Sequence, residues 1–127
     1  MRYMMLVKCT QESETGVPPN PELMAAVAKL AEEATKRGVM IDAGGLLPSA
    51  RATRIHVSKG KTTVTDGPFA ETKELVGGYA IFDLSSKEDA VKMGRDFMQI
   101  HADILGTSYE GQLEIRPMFS APPPAQQ

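Results

Sequence analysis

The sequence predicts an α+β fold, because two amphipathic helices alternate with strands in the order strand, helix, strand, hairpin, strand, helix, strand. A chain of 127 residues has room for one domain with a modest core. With right-handed crossovers, this order gives a ferredoxin-like split βαβ sheet that carries both helices on one face and the β-hairpin as an insertion. We expect one domain over residues 1–119 and a disordered, Pro-rich tail over residues 120–127.

The strands of the first half follow from the spacing of apolar residues. Residues 2–9 are apolar on both alternating faces, which is typical of a central strand covered on both sides. A polar loop with three prolines follows over residues 10–21. A second strand is expected over residues 39–43, where the pair Gly44-Gly45 should interrupt it.

Both helices carry sequence signals for their ends. Asn20 is a candidate N-cap before Pro21, and Gly38 stands where a glycine stop belongs. The second helix is expected to begin at a capping box from Ser85 to Glu88 and to end at Gly106. Its apolar stripe comprises Ala90, Gly94, Phe97, His101 and Ile104.

The second half adds a hairpin and two further strands. Residues 52–58 and 61–65 alternate around a turn at Lys59-Gly60, and their polar face predicts a hairpin that projects from the main sheet or covers its edge. Strands are expected over residues 75–84 and 112–119. The glycines Gly77 and Gly78 open the first of them and indicate a bulge or the close approach of a ligand or another backbone.

The stretch from Asp66 through Phe69, Asp-Gly-Pro-Phe, is the most distinctive motif of the chain. It continues as Ala-Glu-Thr-Lys-Glu and, after a short gap, as Gly78-Tyr79. Together with the strands at residues 1–8 and 114–119 and the segment 97–101, this stretch resembles the DGPF-type branch of the YCII-related proteins. The resemblance spans roughly residues 1–119.

That resemblance implies a bacterial, dimeric ferredoxin-like α+β barrel fold of largely undetermined function, often associated with extracytoplasmic-function sigma factors. In the wider family a few members are linked to dehydrochlorinase-type chemistry, with a His in the first helix and an Asp near its end as the catalytic pair. The first predicted helix, residues 22–37, has neither a His nor an Asp. The catalytic pair therefore does not carry over to this chain.

Asp66 and the charges that follow it are candidate site residues. An Asp before Gly-Pro forms turns, so Asp66 is either a turn anchor or a catalytic carboxylate beside Lys73 or Arg54. Glu71, Lys73 and Glu74 form either a solvated edge or a site in which the lysine binds an anionic group.

The aromatic residues and the histidines supply the remaining candidates. His101 is either a packed residue at the helix margin or a general acid/base, since an ordinary histidine titrates near neutral pH. Phe69 and Tyr79 are candidate ligand contacts, although Phe69 also fits the core. The other histidine, His56, lies on the polar face of the hairpin, and no His pair has metal-ligand spacing, so neither a metal nor another cofactor is expected.

Composition and charge disfavour several classes of partner and indicate the cellular compartment. The formal net charge is −2 without a basic run, which disfavours direct nucleic-acid and anionic-membrane binding. A single cysteine, Cys9, allows no internal disulfide and fits the reducing cytoplasm. It is expected to be a buried small hydrophobe and not a nucleophile. The apolar run at the N-terminus is too short for a signal peptide or a membrane span.

Three hypotheses about function remain open. The first is a small-molecule-binding module with a regulatory role near a sigma factor. The second is a small lyase or hydrolase in which Asp66 or His101 transfers protons, and the third is a structural dimer for protein–protein interaction. A homodimer is expected because no third helix covers the second sheet face, and its interface would bury positions such as Tyr3, Met5, Tyr79 or Ile81.

Overall fold

The computed structural model describes residues 1–119, except for the side chain of Lys73, so the expected Pro-rich tail lies outside the described residues. Within this range the strands are β1 (Arg2–Lys8), β2 (Met40–Gly45), β3 (Thr53–Ser58), β4 (Lys61–Asp66), β5 (Val76–Asp83) and β6 (Leu113–Pro117). The helices are α1 (Gln11–Glu14), α2 (Pro21–Lys36) and α3 (Lys87–Leu105), with 3-10 turns at Ser49–Arg51 and Thr72–Glu74.

The main sheet is antiparallel and has the strand order β2-β5-β1-β6. This order confirms the ferredoxin-like arrangement, with β1 in the centre as its two apolar faces predicted. Strands β3 and β4 pair only with each other as a second, two-stranded sheet, so the hairpin projects as expected. Among the described strands the main sheet stays open and does not close into a barrel.

The register of β1 decides which side chains face the helices. Tyr3 pairs with Phe82 and Met5 pairs with Ala80, and Tyr3 and Met5 are only 6% and 3% exposed. They form the core with residues of the helical layer and of β5. This core comprises Tyr3, Met5, Ala34, Phe82, Leu84 and Ala90.

The opposite face of the sheet carries a different apolar set. Leu6 pairs with Tyr79 and Met4 pairs with Ile81, and all four side chains are half-buried. Because side chains alternate along a strand, Tyr3 and Met5 cannot share a face with Tyr79 and Ile81. The expectation that Tyr3 and Met5 lie at an intersubunit face is therefore wrong, because both side chains pack in the core under the helices. Met4 and Leu6 lie on the opposite face of the sheet.

The helix caps are those that the sequence predicted, except that the N-cap of α3 is one residue later. The Asn20 side chain accepts hydrogen bonds from the backbone N–H groups of Glu22 (2.8 Å) and Leu23 (3.1 Å), and Gly38 has φ 73° just past the end of α2. The N-cap of α3 is Ser86 and not Ser85, because the Ser86 hydroxyl accepts from the backbone of Asp89 at 3.1 Å. The predicted capping box was therefore one residue too early.

A short helix, α1, was not expected within the polar loop. Thr10 and Ser13 cap it reciprocally: the Ser13 N–H donates to Thr10 Oγ1 at 3.2 Å, and the Thr10 N–H donates to Ser13 Oγ at 2.9 Å. This is a capping box with Ser in place of the usual Glu or Gln at the third helical position. A signal of this kind is weak in a four-residue helix, because one turn has little stability alone.

The glycines of the sheet allow close backbone packing. Gly44 and Gly45 continue β2 and do not interrupt it, and a Cβ atom on Gly44 would lie 3.0 Å from the Tyr79 ring. The predicted bulge is confirmed, since the β1–β5 register passes from Val7–Gly78 to Lys8–Val76 and skips Gly77.

The Asp-Gly-Pro-Phe stretch packs onto the 3-10 turn before the hairpin. The Gly67 N–H donates to the Ala52 carbonyl at 2.9 Å, and a Cβ atom on Gly67 would lie 1.7 Å from the Ser49 carbonyl oxygen. Only a glycine fits this close approach of two backbone segments. The motif thereby fixes the hairpin to the connection that precedes it.

We expect Gly67→Ala to lower the free energy of unfolding by about 2–3 kcal/mol, because the added methyl group meets backbone that cannot move aside. Chemical denaturation followed by circular dichroism measures the change. Gly45→Ala is the matched control, since a Cβ atom there has nothing within 4 Å. Equal stability of the two variants would contradict the packing argument.

Candidate functional site

A large cavity lies between the helical layer and the main sheet. Its volume is about 1050 Å³, slightly above the roughly 300–1,000 Å³ that is typical of small-molecule sites. The wall is predominantly apolar and includes Val27, Leu30, Met93, Leu105 and Leu113. Residues of the loop between β1 and α2 line it as well.

The cavity borders a stretch of α2 whose apolar side chains are only partly covered. Ala34, near the end of the helix, is 5% exposed and is the buried residue of α2. The larger side chains Leu23, Val27 and Leu30 on the preceding turns remain half-buried and line the cavity. An apolar stripe that the fold leaves incompletely covered is suited to contact an apolar ligand.

His101 is the histidine in this cavity wall. It is 9% exposed, and its Nδ1 lies 2.9 Å from the Phe97 carbonyl oxygen one helical turn earlier. Its ring packs near two aromatic rings, with centroid distances of 4.6 Å to Phe97 and 5.7 Å to Tyr109. The helical spacing correctly placed His101 on the inward face of α3, although it did not indicate the cavity.

Tyr109 extends this aromatic cluster from the connection between α3 and β6. Burial raises the pKa of its phenol above the ordinary value, so the hydroxyl stays protonated and neutral at physiological pH. Sequence reasoning missed Tyr109, since a single tyrosine in a connection between elements carries no periodic signal.

The structure separates the Asp-Gly-Pro-Phe stretch from this cavity. Asp66 Oδ1 accepts a hydrogen bond from Thr53 Oγ1 across the hairpin at 3.1 Å. The Arg54 guanidinium carbon lies 3.7 Å from the centroid of the Phe69 ring, which is a cation–π contact. Asp66, Arg54 and Phe69 are absent from the cavity wall, so the structure does not bring Asp66 and His101 to one site.

Ser49 and Glu14 form a polar junction that sequence reasoning missed. Ser49 is 5% exposed; its N–H donates to Glu14 Oε2 at 2.8 Å and its hydroxyl donates to Glu14 Oε1. The same hydroxyl accepts from the Phe69 N–H at 3.0 Å. The junction joins three segments that are distant in sequence, so no local pattern predicts it.

The remaining predicted site residues lie around the start of β5. Glu71 and Glu74 are exposed at the ends of the 3-10 turn, away from the cavity wall, and the side chain of Lys73 lies outside the described residues. Tyr79 borders the cavity through its position in β5, although its side chain lies on the opposite face of the sheet from Tyr3 and Met5. Its hydroxyl donates to Asp42 Oδ2 at 3.2 Å, and this hydrogen bond to a carboxylate raises the pKa of the Tyr79 phenol.

Cys9 follows β1 and packs beside the bulge. A Cβ atom on Gly77 would lie 3.3 Å from Cys9 Sγ. Desolvation by burial raises the pKa of the thiol above its ordinary value, which keeps it protonated and weakly nucleophilic at neutral pH.

Neither a metal-binding cluster nor a membrane-spanning helix occurs among the residues that the structure describes. Residues 1–119 contain no group of three or more His, Cys, Asp and Glu side chains placed to hold a metal ion. Among the helices that the structure describes, none has the length and apolar character to span a membrane.

Comparison with known proteins supports the family that the motif indicated. The sequence pattern of the YCII-related domain matches residues 1–106. An uncharacterized protein of Rhizobium meliloti (strain 1021) is 34% identical to this chain over 95 residues, which cover 75% of this chain and 69% of that protein. The chain therefore belongs to the YCII-related family.

Proposed function

We propose that this protein is a dimeric module that binds a small, largely apolar molecule in the cavity between α2, α3 and the main sheet. The observation that carries the proposal is the cavity itself: about 1050 Å³, apolar walls, and His101 as a buried polar group on one side. Sites of this kind combine hydrophobic walls with a few placed polar groups. The single cysteine is in keeping with action in the cytoplasm.

The proposal includes membership of the DGPF-type branch and a regulatory role beside an extracytoplasmic-function sigma factor. The sequence motif from Asp66 to Phe69 supports the branch. The role beside a sigma factor rests on that resemblance, and copurification with the sigma factor of the same organism would test it.

A second copy of this chain is the proposed cover for the open sheet face. Met4, Leu6, Tyr79 and Ile81 form an apolar patch on the face that no described helix covers. The hairpin adds to the exposed apolar surface, because Ile55, Val57 and Val64 are 70%, 65% and 67% exposed. Exposed apolar patches of this kind are typical of protein interfaces.

A proton-transfer enzyme is the second candidate function. His101 favours it, because its Nδ1 is occupied by the Phe97 carbonyl while the ring lines the cavity. A lyase or hydrolase of this kind would depend on His101 without Asp66, which does not line the cavity. Mass spectrometry of any bound compound after incubation distinguishes conversion from binding alone.

We expect apolar aromatic compounds to raise the melting temperature in a thermal-shift screen. A ligand at about 100 times its Kd stabilises the folded state by roughly 2.7 kcal/mol, which corresponds to a shift of several degrees. Leu30→Trp places a larger side chain in the cavity and should abolish the shift. Because the natural sequence has no tryptophan, the fluorescence of the introduced side chain also reports whether that side chain lies in the apolar cavity.

Two controls belong to this screen. Val91→Trp adds the same side chain on the exposed face of α3 and should leave the shift intact. Asp66→Ala should also leave it intact, since Asp66 lies outside the cavity wall. A shift that persists in Leu30→Trp, or one that disappears in Asp66→Ala, would place the ligand elsewhere.

We expect the wild-type protein to have about twice its monomer mass of 13.7 kDa in solution, measured by light scattering at micromolar concentration. Ile81→Lys should yield the monomer, because dimerisation would desolvate the new charge on the apolar sheet face. Val91→Lys introduces the same charge on α3 and should remain dimeric. A wild-type mass of 13.7 kDa would contradict the dimer.

A further inference from the structure

The hydrogen bond at Nδ1 fixes the proton of the His101 ring. A backbone carbonyl oxygen only accepts hydrogen bonds, so the Nδ1 atom 2.9 Å from the Phe97 carbonyl carries the proton in the neutral ring. The lone pair of the neutral ring is therefore on Nε2. His101 then offers a hydrogen-bond acceptor and not a donor.

The Nε2 atom is reached from open space. The structure shows no partner for it among the described residues, and His101 belongs to the cavity wall. In the described part of the chain, no side-chain nitrogen or oxygen that is sealed from solvent lacks a hydrogen-bond partner. Nε2 is consequently not sealed, and the cavity is the open space that the structure shows beside His101.

The neighbouring aromatic rings restrict the orientation of the imidazole. Phe97 and Tyr109 lie at centroid distances of 4.6 Å and 5.7 Å, tilted by 50° and 30°. A flip of the ring would also break the hydrogen bond to the Phe97 carbonyl. A fixed acceptor at the edge of an apolar cavity selects ligands by the position of one donor group.

Carboxylates outnumber cations in the cavity wall, and two of the cations are paired. The carboxylates are Glu12, Glu33, Asp89 and Asp96, and the cations are Lys8, Arg37 and Lys92. Lys8 lies 3.3 Å from Glu114, and Lys92 lies 2.9 Å from Asp96. An anionic ligand would compete with these pairs, and its carboxylate oxygens could not donate to Nε2 of the neutral ring. A neutral molecule with a hydroxyl group does not compete with the ion pairs, and its hydroxyl can donate to Nε2.

From these observations, and resting on the proposed binding function, we infer that the cavity takes neutral, largely apolar molecules that carry a hydroxyl group, such as phenols, with the hydroxyl donating to His101 Nε2. Burial of the hydrocarbon part supplies most of the affinity. The hydrogen bond supplies the preference for a hydroxyl compound over a hydrocarbon of the same shape.

The test compares 4-fluoro-4'-hydroxybiphenyl with 4-fluoro-4'-methylbiphenyl by fluorine NMR titration of the full chain. The two compounds have nearly equal size, and the hydroxyl replaces a methyl group. We expect the hydroxyl compound to bind about five-fold more tightly, the gain from one net hydrogen bond. His101→Phe keeps an aromatic ring beside Phe97 and Tyr109 and should remove this preference.

Further variants show whether the hydroxyl preference depends on an acceptor at position 101. His101→Gln keeps an amide oxygen as a potential acceptor in the same region and should retain part of the preference. His56→Phe changes the exposed histidine of the hairpin and should leave the preference unchanged. If His101→Phe fails to fold, as judged by circular dichroism, the comparison is made between His101→Gln and His101→Leu, and only the leucine variant should lose the preference.

Failure of this inference is distinguishable from failure of the proposed function. Equal affinity of the two biphenyls for the wild-type chain would overturn the role of His101 while the binding function stands. Binding of neither biphenyl would overturn both. A hydroxyl preference that survives His101→Phe would place the acceptor on another residue and would also overturn the inference.

Discussion

The alternation of side chains along β1 is the constraint on which the rest of the structure depends. The strand lies between β5 and β6 and is apolar on both faces. Successive side chains point to opposite faces of the sheet and therefore pack against different layers. Tyr3 and Met5 hold the helices against the sheet, whereas Met4 and Leu6 present an apolar surface on the other side. One short strand thereby determines both the core and the face that we assign to a second subunit.

The sequence predicted the order of elements, the central strand, both ends of α2 and the projecting hairpin, because each depends on local periodicity or on a capping residue. It failed where the determining contact is distant in sequence. Tyr3 was grouped with Tyr79 because alternation shows which residues share a face but not which face packs on the helices. Ser49 was overlooked because its partners, Glu14 and Phe69, come from separate segments.

The sequence predicted one part of the candidate site and not the other. The helical stripe placed His101 on the buried face of α3, which the structure confirms. The cavity beside it depends on how far the first turns of α2 stand from the sheet, and no pattern within α2 encodes that distance. Leu23, Val27 and Leu30 have the spacing of ordinary core residues, although they line a space that is left open.

The packing and hydrogen bonds of the Asp-Gly-Pro-Phe stretch account for that motif without a catalytic role. Gly67 is needed where two backbones meet, the Phe69 N–H donates to a buried serine, and the Arg54 guanidinium lies over the Phe69 ring. The hydrogen bonds from Phe69 to Ser49 and from Ser49 to Glu14 connect this stretch to the segment before α2. The same segment lines the cavity, so under the function that we propose the motif would position part of the wall of the ligand site. A sequence signature of this kind specifies the architecture, and in our proposal His101 together with the cavity determines what the architecture binds.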